Sequence, residues 1–180
     1  MIHFNKVVGV TWLLALGGLG GCSSGLEYNV KPEEFAKQAE ANEGSTAWAY
    51  EASKYPNDDI KKKYYYPRNS WKCNLFINDI LYDSGITPPK QSNGWPPYAK
   101  DWADASFYIP NWEHKGEGSG VTWKPGDVIA EKRDYANASG HCGIAISSSK
   151  VMAAGSKKVH DGSDGDHELS KGSIRRYTGN

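Results

Sequence analysis

Two side chains in this sequence have the chemistry of a nucleophilic pair, Cys73 and His141. An imidazole that takes or shares a thiol proton leaves a thiolate able to attack a carbonyl carbon. Cys73 lies in the run Trp71-Lys72-Cys73-Asn74-Leu75-Phe76-Ile77-Asn78-Asp79-Ile80-Leu81-Tyr82-Asp83-Ser84-Gly85. Within it, Cys73, Phe76, Ile77, Ile80 and Ser84 recur at helical spacing and define one face, with Asn74, Asn78 and Asp83 mostly on the other. Gly85 offers a left-handed stop and Pro88-Pro89 bars continuation. The spacing therefore predicts a short helix with Cys73 in its first turn. There the helix dipole and the unpaired backbone N–H groups favour thiolate over thiol, and the same N–H groups can hold a tetrahedral oxyanion.

His141 sits in Gly140-His141-Cys142-Gly143-Ile144-Ala145-Ile146-Ser147, which reads as a strand. His3 falls in the leader, and His114, His160 and His167 lie in loop-like surroundings with no apolar flank to orient them. His141 is thus the expected partner of Cys73. Strand alternation sends Cys142 to the face opposite His141, where it is expected in the core. The plain alternatives are a small buried cysteine and a satisfied structural histidine.

The elements that must position this pair are legible in outline. Pro32 to Glu40 reads as a helix with Pro in its first turn and two Glu at its positive end. Gly44-Ser45-Thr46 opens a second helical piece, Ala47 to Ser53. Pro56 to Asp59 is a turn cluster. Ile86 to Trp112 is a long loop rich in Pro, Asn, Trp and Tyr, with a helical turn around Trp102. Val121-Thr122-Trp123-Lys124-Pro125-Gly126-Asp127-Val128 reads as a turn feeding a strand, and 127–130, 141–147 and 150–156 are the expected strands. Lys157 to Lys171 reads as a polar loop, and Ser173 to Tyr177 as a last edge strand.

The 180 residues suffice for one domain with a real core. The formal charge is zero, which removes the basic footprint of a nucleic-acid binder. No C-x-x-C pair, GxGxxG or P-loop is present, so no metal or cofactor is expected. Seven Trp and eleven Tyr are core or groove material. Lys61-Lys62-Lys63 is either a solvated loop or a rim that steers an anionic polymer. Lys6 followed by an apolar run from Val7 to Leu19, too short to span a bilayer, reads as a targeting leader.

The run Leu19-Gly20-Gly21-Cys22 resembles a bacterial lipobox, with an ordinary cleavable leader as the alternative. The resemblance implies a lipoprotein signal over 1–21, a lipidated Cys22 with a tether over 22–30, and a domain over 31–180. Ser23 resembles the outer-membrane sorting pattern of a Gram-negative host, which implies a lipid-anchored protein facing the periplasm.

Lys72-Cys73-Asn74-Leu75-Phe76, Pro125-Gly126-Asp127-Val128 and Gly140-His141-Cys142-Gly143-Ile144, in that order, resemble the papain-like bacterial cell-wall hydrolases of the NlpC and CHAP types. Gly44 to Tyr50 is more similar to their amidase-effector branch. The resemblance spans roughly Gly44 to Ser156 and implies an α+β papain-like fold, with Cys-bearing and other N-terminal helices on an antiparallel sheet. It implies a cysteine peptidase or amidase that cleaves the D-glutamyl–diaminopimelate bond, the muramoyl–L-alanine amide or a cross-bridge. The family's third polar position falls on Ala153, which has no side chain to orient an imidazole. A two-residue turn at Ser148-Ser149 would set Ser156 opposite His141 instead, so Ser156, a backbone carbonyl or a simple dyad remain open. Tyr50, Asn74 and Trp95 are the expected oxyanion and substrate contacts, with Tyr64 to Tyr66 as the next candidates after Tyr50 for the oxyanion tyrosine. The implied partner is the peptidoglycan stem peptide, with an inhibitor or immunity protein as a further candidate. The alternatives from other classes are an inactive wall-binding lipoprotein and an anchored domain stapled by a Cys73–Cys142 disulfide.

Overall fold

A computed structural model describes residues 30–58, 64–163 and 169–179. The leader, Cys22, the residues before Val30, and Lys61, Lys62, Lys63 and His167 lie outside the described residues. The fold is mixed α+β. Helices α1 (Pro32–Ala41), α2 (Cys73–Asp83) and α3 (Ala99–Ala103) precede strands β1 (Trp112–Glu117), β2 (Val128–Tyr135), β3 (Ala138–Ala145), β4 (Val151–Ala154), β5 (Val159–Asp161) and β6 (Ser173–Tyr177). The six strands form one antiparallel sheet in the order β1-β6-β2-β3-β4-β5.

Strand alternation sorts the sheet into two faces. Val128, Ala130, Cys142, Ile144, Met152 and Ala154 face the helices and pack with Phe35, Phe76, Ile80 and Trp102. Ile129, Ala145, Val151, Ala153 and Ile174 face the other way and are covered by Trp123 and Leu169. Leu75, Phe76, Ile77, Ile80 and Leu81 of α2 are all buried, so this helix is the keystone of the main core. At about 1.5–3 kcal/mol for each buried side chain, its burial outweighs the modest helix propensity of its Asn, Asp and Ile residues.

The Pro-Gly-Asp turn has a clear local cause. Gly126 adopts φ +88°, and a Cβ there would lie 2.2 Å from the Pro32 carbonyl oxygen. Only glycine combines this conformation with such close approach of α1. Asp127 accepts from the Lys124 N–H at 2.8 Å and takes both arms of the Arg176 guanidinium, at 2.8 and 2.7 Å. One carboxylate thus closes the turn and joins the start of β2 to β6.

Four expectations need correction. Ala47 to Ser53 forms turns, because Trp48 and its neighbours are held by α2: Trp48 Nε1 donates to the buried Asp79 at 2.9 Å, and the Asn57 N–H to the same carboxylate at 2.8 Å. The strand at 173–177 lies inside the sheet between β1 and β2, since Arg175 spends its donors on the carbonyls of Trp102, Asp104 and Phe107. The polar stretch 157–171 contains β5, paired with β4 through Ala153 and His160. Finally, β3 pairs with β4 through Ile144–Met152 and Ala145–Val151. Continued, that register sets Gly155 opposite His141 and leaves Ser156 one step beyond.

Candidate active site

Cys73 is the first residue of α2, and the middle of β3, which carries His141 and Cys142, lies beneath it. Cys142 and His141 are near enough to Cys73 to act on its ionisation. These neighbours, Cys142 first and His141 second, hold the Cys73 thiol well below the usual cysteine range despite its burial. Burial, and then the neighbouring Cys73, push the Cys142 thiol well above that range. The two thiols are therefore polarised in opposite directions, Cys73 toward thiolate and Cys142 toward S–H. Neither cysteine forms a disulfide.

Cys142 is in the core as expected, but it does not point away from the nucleophile. Its side chain is on the helix-facing side of β3, the side against which α2 packs. His141 acts on the same sulfur from the strand's twisted first half. Gly140 there has φ +137°, a Cβ on it would lie 1.9 Å from the Glu131 carbonyl oxygen, and the β2–β3 register shifts between Lys132 and Tyr135. Such an irregularity re-aims side chains that strict alternation would send apart.

Two cavities flank the pair. One, of about 460 Å³, is lined by Tyr66, Trp71, Cys73, Asn74, Trp95 and Tyr98 among others. The second, of about 160 Å³, is lined by Trp71, His141, Gly155, Ser156 and His160 among others. Trp71, Tyr135, Asn137, Ala138 and Gly140 line both. Asn74 is buried and donates through Nδ2 to the Tyr66 hydroxyl at 3.2 Å. Trp95 packs its ring on Tyr66 and Tyr64, at centroid distances of 5.1 and 5.2 Å. Two of the expected substrate contacts, Asn74 and Trp95, are thus in the larger cavity.

Tyr50 is not there. Its ring lies 4.8 Å from that of Trp71, and it lines a separate surface depression. The tyrosine beside Cys73 is Tyr66, whose hydroxyl is kept protonated by burial. Ser156 shares the smaller cavity with His141, yet it is solvent-exposed and its carbonyl is taken by the Tyr50 N–H at 2.9 Å. His160 shares that cavity too. Its Nδ1 is 2.7 Å from the Asp161 carbonyl oxygen, so Nδ1–H donates there and Nε2 is the nitrogen turned to the cavity side. That Nε2 lies over Gly155, 2.3 Å from where a Cβ would stand.

Lys72 also escapes a reading of the sequence alone. It precedes Cys73 and is 1% exposed. Its ammonium donates to the carbonyls of Ser70, Ala49 and Tyr50 at 2.7, 3.2 and 3.3 Å. One buried cation thus fastens the Trp48–Tyr50 and Ser70–Trp71 segments to the start of α2. No short-range periodicity marks it, since a lysine at a helix start normally points to solvent.

Among the described residues, no group of three His, Cys, Asp or Glu side chains gathers as a metal site, and no helix is long and apolar enough to cross a membrane. No family model, no curated protein and no solved structure matches the chain.

Proposed function

We propose that this chain is a cysteine peptidase or amidase of papain-like architecture that hydrolyses an amide bond in the peptidoglycan stem peptide. The observation that carries the reading is an acidified Cys73, with His141 among the groups that acidify it, in the wall of an aromatic-lined cavity. A thiolate preset for attack, an imidazole able to protonate the departing amine, and N–H groups at a helix start are the parts acyl transfer needs.

The step runs as follows. The Cys73 sulfur attacks the scissile carbonyl carbon, and the new oxyanion takes hydrogen bonds from the first-turn N–H groups of α2 and from the Tyr66 hydroxyl. His141 gives its proton to the leaving amine as the C–N bond breaks. Water, deprotonated by His141, then attacks the thioester and frees Cys73. His160 is the better placed third residue, because its Nε2 overlies Gly155, which the continued β3–β4 register sets opposite His141. Trp71, Trp95 and Tyr98 offer faces and edges to a substrate that carries sugar as well as peptide.

The leader and the Leu19-Gly20-Gly21-Cys22 run support a cell-envelope lipoprotein, which would place the domain beside such a polymer. The test is digestion of purified peptidoglycan by the full chain, with the new ends identified by mass spectrometry. Wild type should release defined stem-peptide fragments. Cys73→Ala should release none, because among the described residues no other thiol lines the cavity. Cleavage by Cys73→Ala at the native rate would sink the reading.

A further inference from the structure

Cys73 and His141 line different cavities. Cys73 and Asn74 line the larger and not the smaller, whereas His141 lines the smaller and not the larger. Trp71 and Asn137 line both, so the two cavities adjoin. We propose that the larger cavity takes a pyranose sugar bearing the scissile carbonyl and the smaller takes the first residue of the peptide, so that the bond cut is the muramoyl–L-alanine amide. The inference rests on the reading of Cys73 as nucleophile and His141 as acid, and it names the bond on which they act.

The direction of the substrate follows from those two roles. The sulfur bonds to the carbonyl carbon, so the acyl half lies on the Cys73 side. The imidazole protonates the departing nitrogen, so the amine half lies on the His141 side.

Size then separates the two halves. The larger cavity, about 460 Å³, is within the range of about 300–1,000 Å³ usual for a small-molecule site, and the smaller, about 160 Å³, is well below it. The smaller one suits a single small residue. It is lined by no lysine, arginine or carboxylate. A diaminopimelate residue, with its additional ionised ends, would gain no partner from those side chains. An alanine methyl needs none.

The surfaces differ in the same sense. Six rings line the larger cavity: Tyr65, Tyr66, Trp71, Trp95, Tyr98 and Tyr135. Tyr65, Tyr98 and Tyr135 are 45%, 37% and 37% exposed. Trp95 packs on Tyr64 and Tyr66, and Trp71 on Tyr50, so both indoles are oriented before a ligand arrives. The C–H face of a pyranose is apolar and slightly positive, and it stacks on the negative face of such rings. Ser139 and Lys100 add donors on the same wall for hydroxyl and acetamido oxygens, and no carboxylate lines it.

The step balances. The Cys73 sulfur bonds to the lactyl carbonyl carbon of the sugar, the C–N bond breaks, and the His141 proton goes to the alanine nitrogen. Water then replaces the sulfur, which leaves a carboxylic acid on the sugar, a free alanine amine on the peptide and the original thiol.

The experiment offers the full chain two soluble substrates, a disaccharide-linked stem peptide and the same stem peptide without sugar. New amines are labelled and identified by mass. Wild type should release an intact stem peptide with a labelled N-terminal alanine from the first substrate, and should leave the second uncut. Trp95→Ala should raise KM for the first about tenfold with kcat little changed. A labelled amine on diaminopimelate, or equal cleavage of the sugar-free peptide, overturns the proposal and leaves the hydrolase standing. Cleavage of neither substrate, nor of whole peptidoglycan, sinks the hydrolase and the bond assignment with it. If Trp95→Ala does not fold, the wild-type products alone decide.

Discussion

Cys142→Ala removes the first of the groups that hold Cys73 toward thiolate, and the size of the loss can be worked out. A hydrogen bond to a charged acceptor contributes about 1.5–3 kcal/mol. At 1.36 kcal/mol per decade, its removal lowers the thiolate population by about tenfold to a hundredfold at any pH where the thiolate is the minor form. The thiolate that remains is more basic and therefore more nucleophilic, which restores roughly half of that loss on a logarithmic scale. The net expectation is a drop of about threefold to tenfold in the rate of Cys73 alkylation below neutral pH. The drop should reverse at high pH, where Cys73 is ionised in both proteins and the more basic thiolate of the variant reacts faster. The acid limb of the activity profile should move to higher pH in the same variant. Cys142→Ser, which keeps a donor, should lie between the two. The assay is iodoacetamide labelling of Cys73 against pH, followed by peptide mass. Equal rates for wild type and Cys142→Ala across the whole range would refute the hydrogen bond as a cause of the acidity.

Two further outcomes are expected. Burial lowers Lys72 from its ordinary value to about 8. Its folded value is below its unfolded one, so between pH 8 and about 10.4 the unfolded chain binds more protons and stability rises with pH. Lys72→Met should abolish that rise in denaturant midpoints measured over this window. It should also lower kcat, because the carbonyls of Ala49, Tyr50 and Ser70 lose their common anchor; an identical pH slope in both proteins would contradict this. Tyr66→Phe keeps the ring packing on Trp95 and removes only the hydroxyl, so kcat should fall by about a hundredfold with KM little changed. A change confined to KM would mean that Tyr66 binds substrate without serving the oxyanion.

The parts that were legible in the sequence are those whose cause is local. The α2 face from Cys73 to Ile80, the Gly126-Asp127 turn and the β3 run each show a periodicity or a turn residue within a few positions. What stayed hidden depends on neighbours far along the chain. Trp112–Glu117 and Val159–Asp161 are short and polar, and they are strands because β6 and β4 offer them a ladder. His160 has no run of apolar neighbours to mark it in the sequence, although Val159 beside it is fully buried. Arg175 and Arg176 suggested an exposed edge, whereas distant carbonyls and Asp127 satisfy them inside the sheet. Cys142 was placed by alternation alone, and alternation says nothing about which helix end lies beneath a strand.

The entry of the chain bears on where the cleft can look. Val30 lies against Gly85, just past the C-terminal end of α2, and Pro32 lies against Gly126 at the start of the β2 strand. Cys73 is at the opposite end of the same 11-residue helix, about 16 Å away along its axis. Whatever holds the residues before Val30 therefore holds the domain by its back. If Cys22 is fixed in a lipid leaflet, the eight residues to Val30 give at most roughly 28 Å of leash. The cleft would then face outward from the membrane, toward a polymer layer within that radius, and the domain could sweep that layer without turning over.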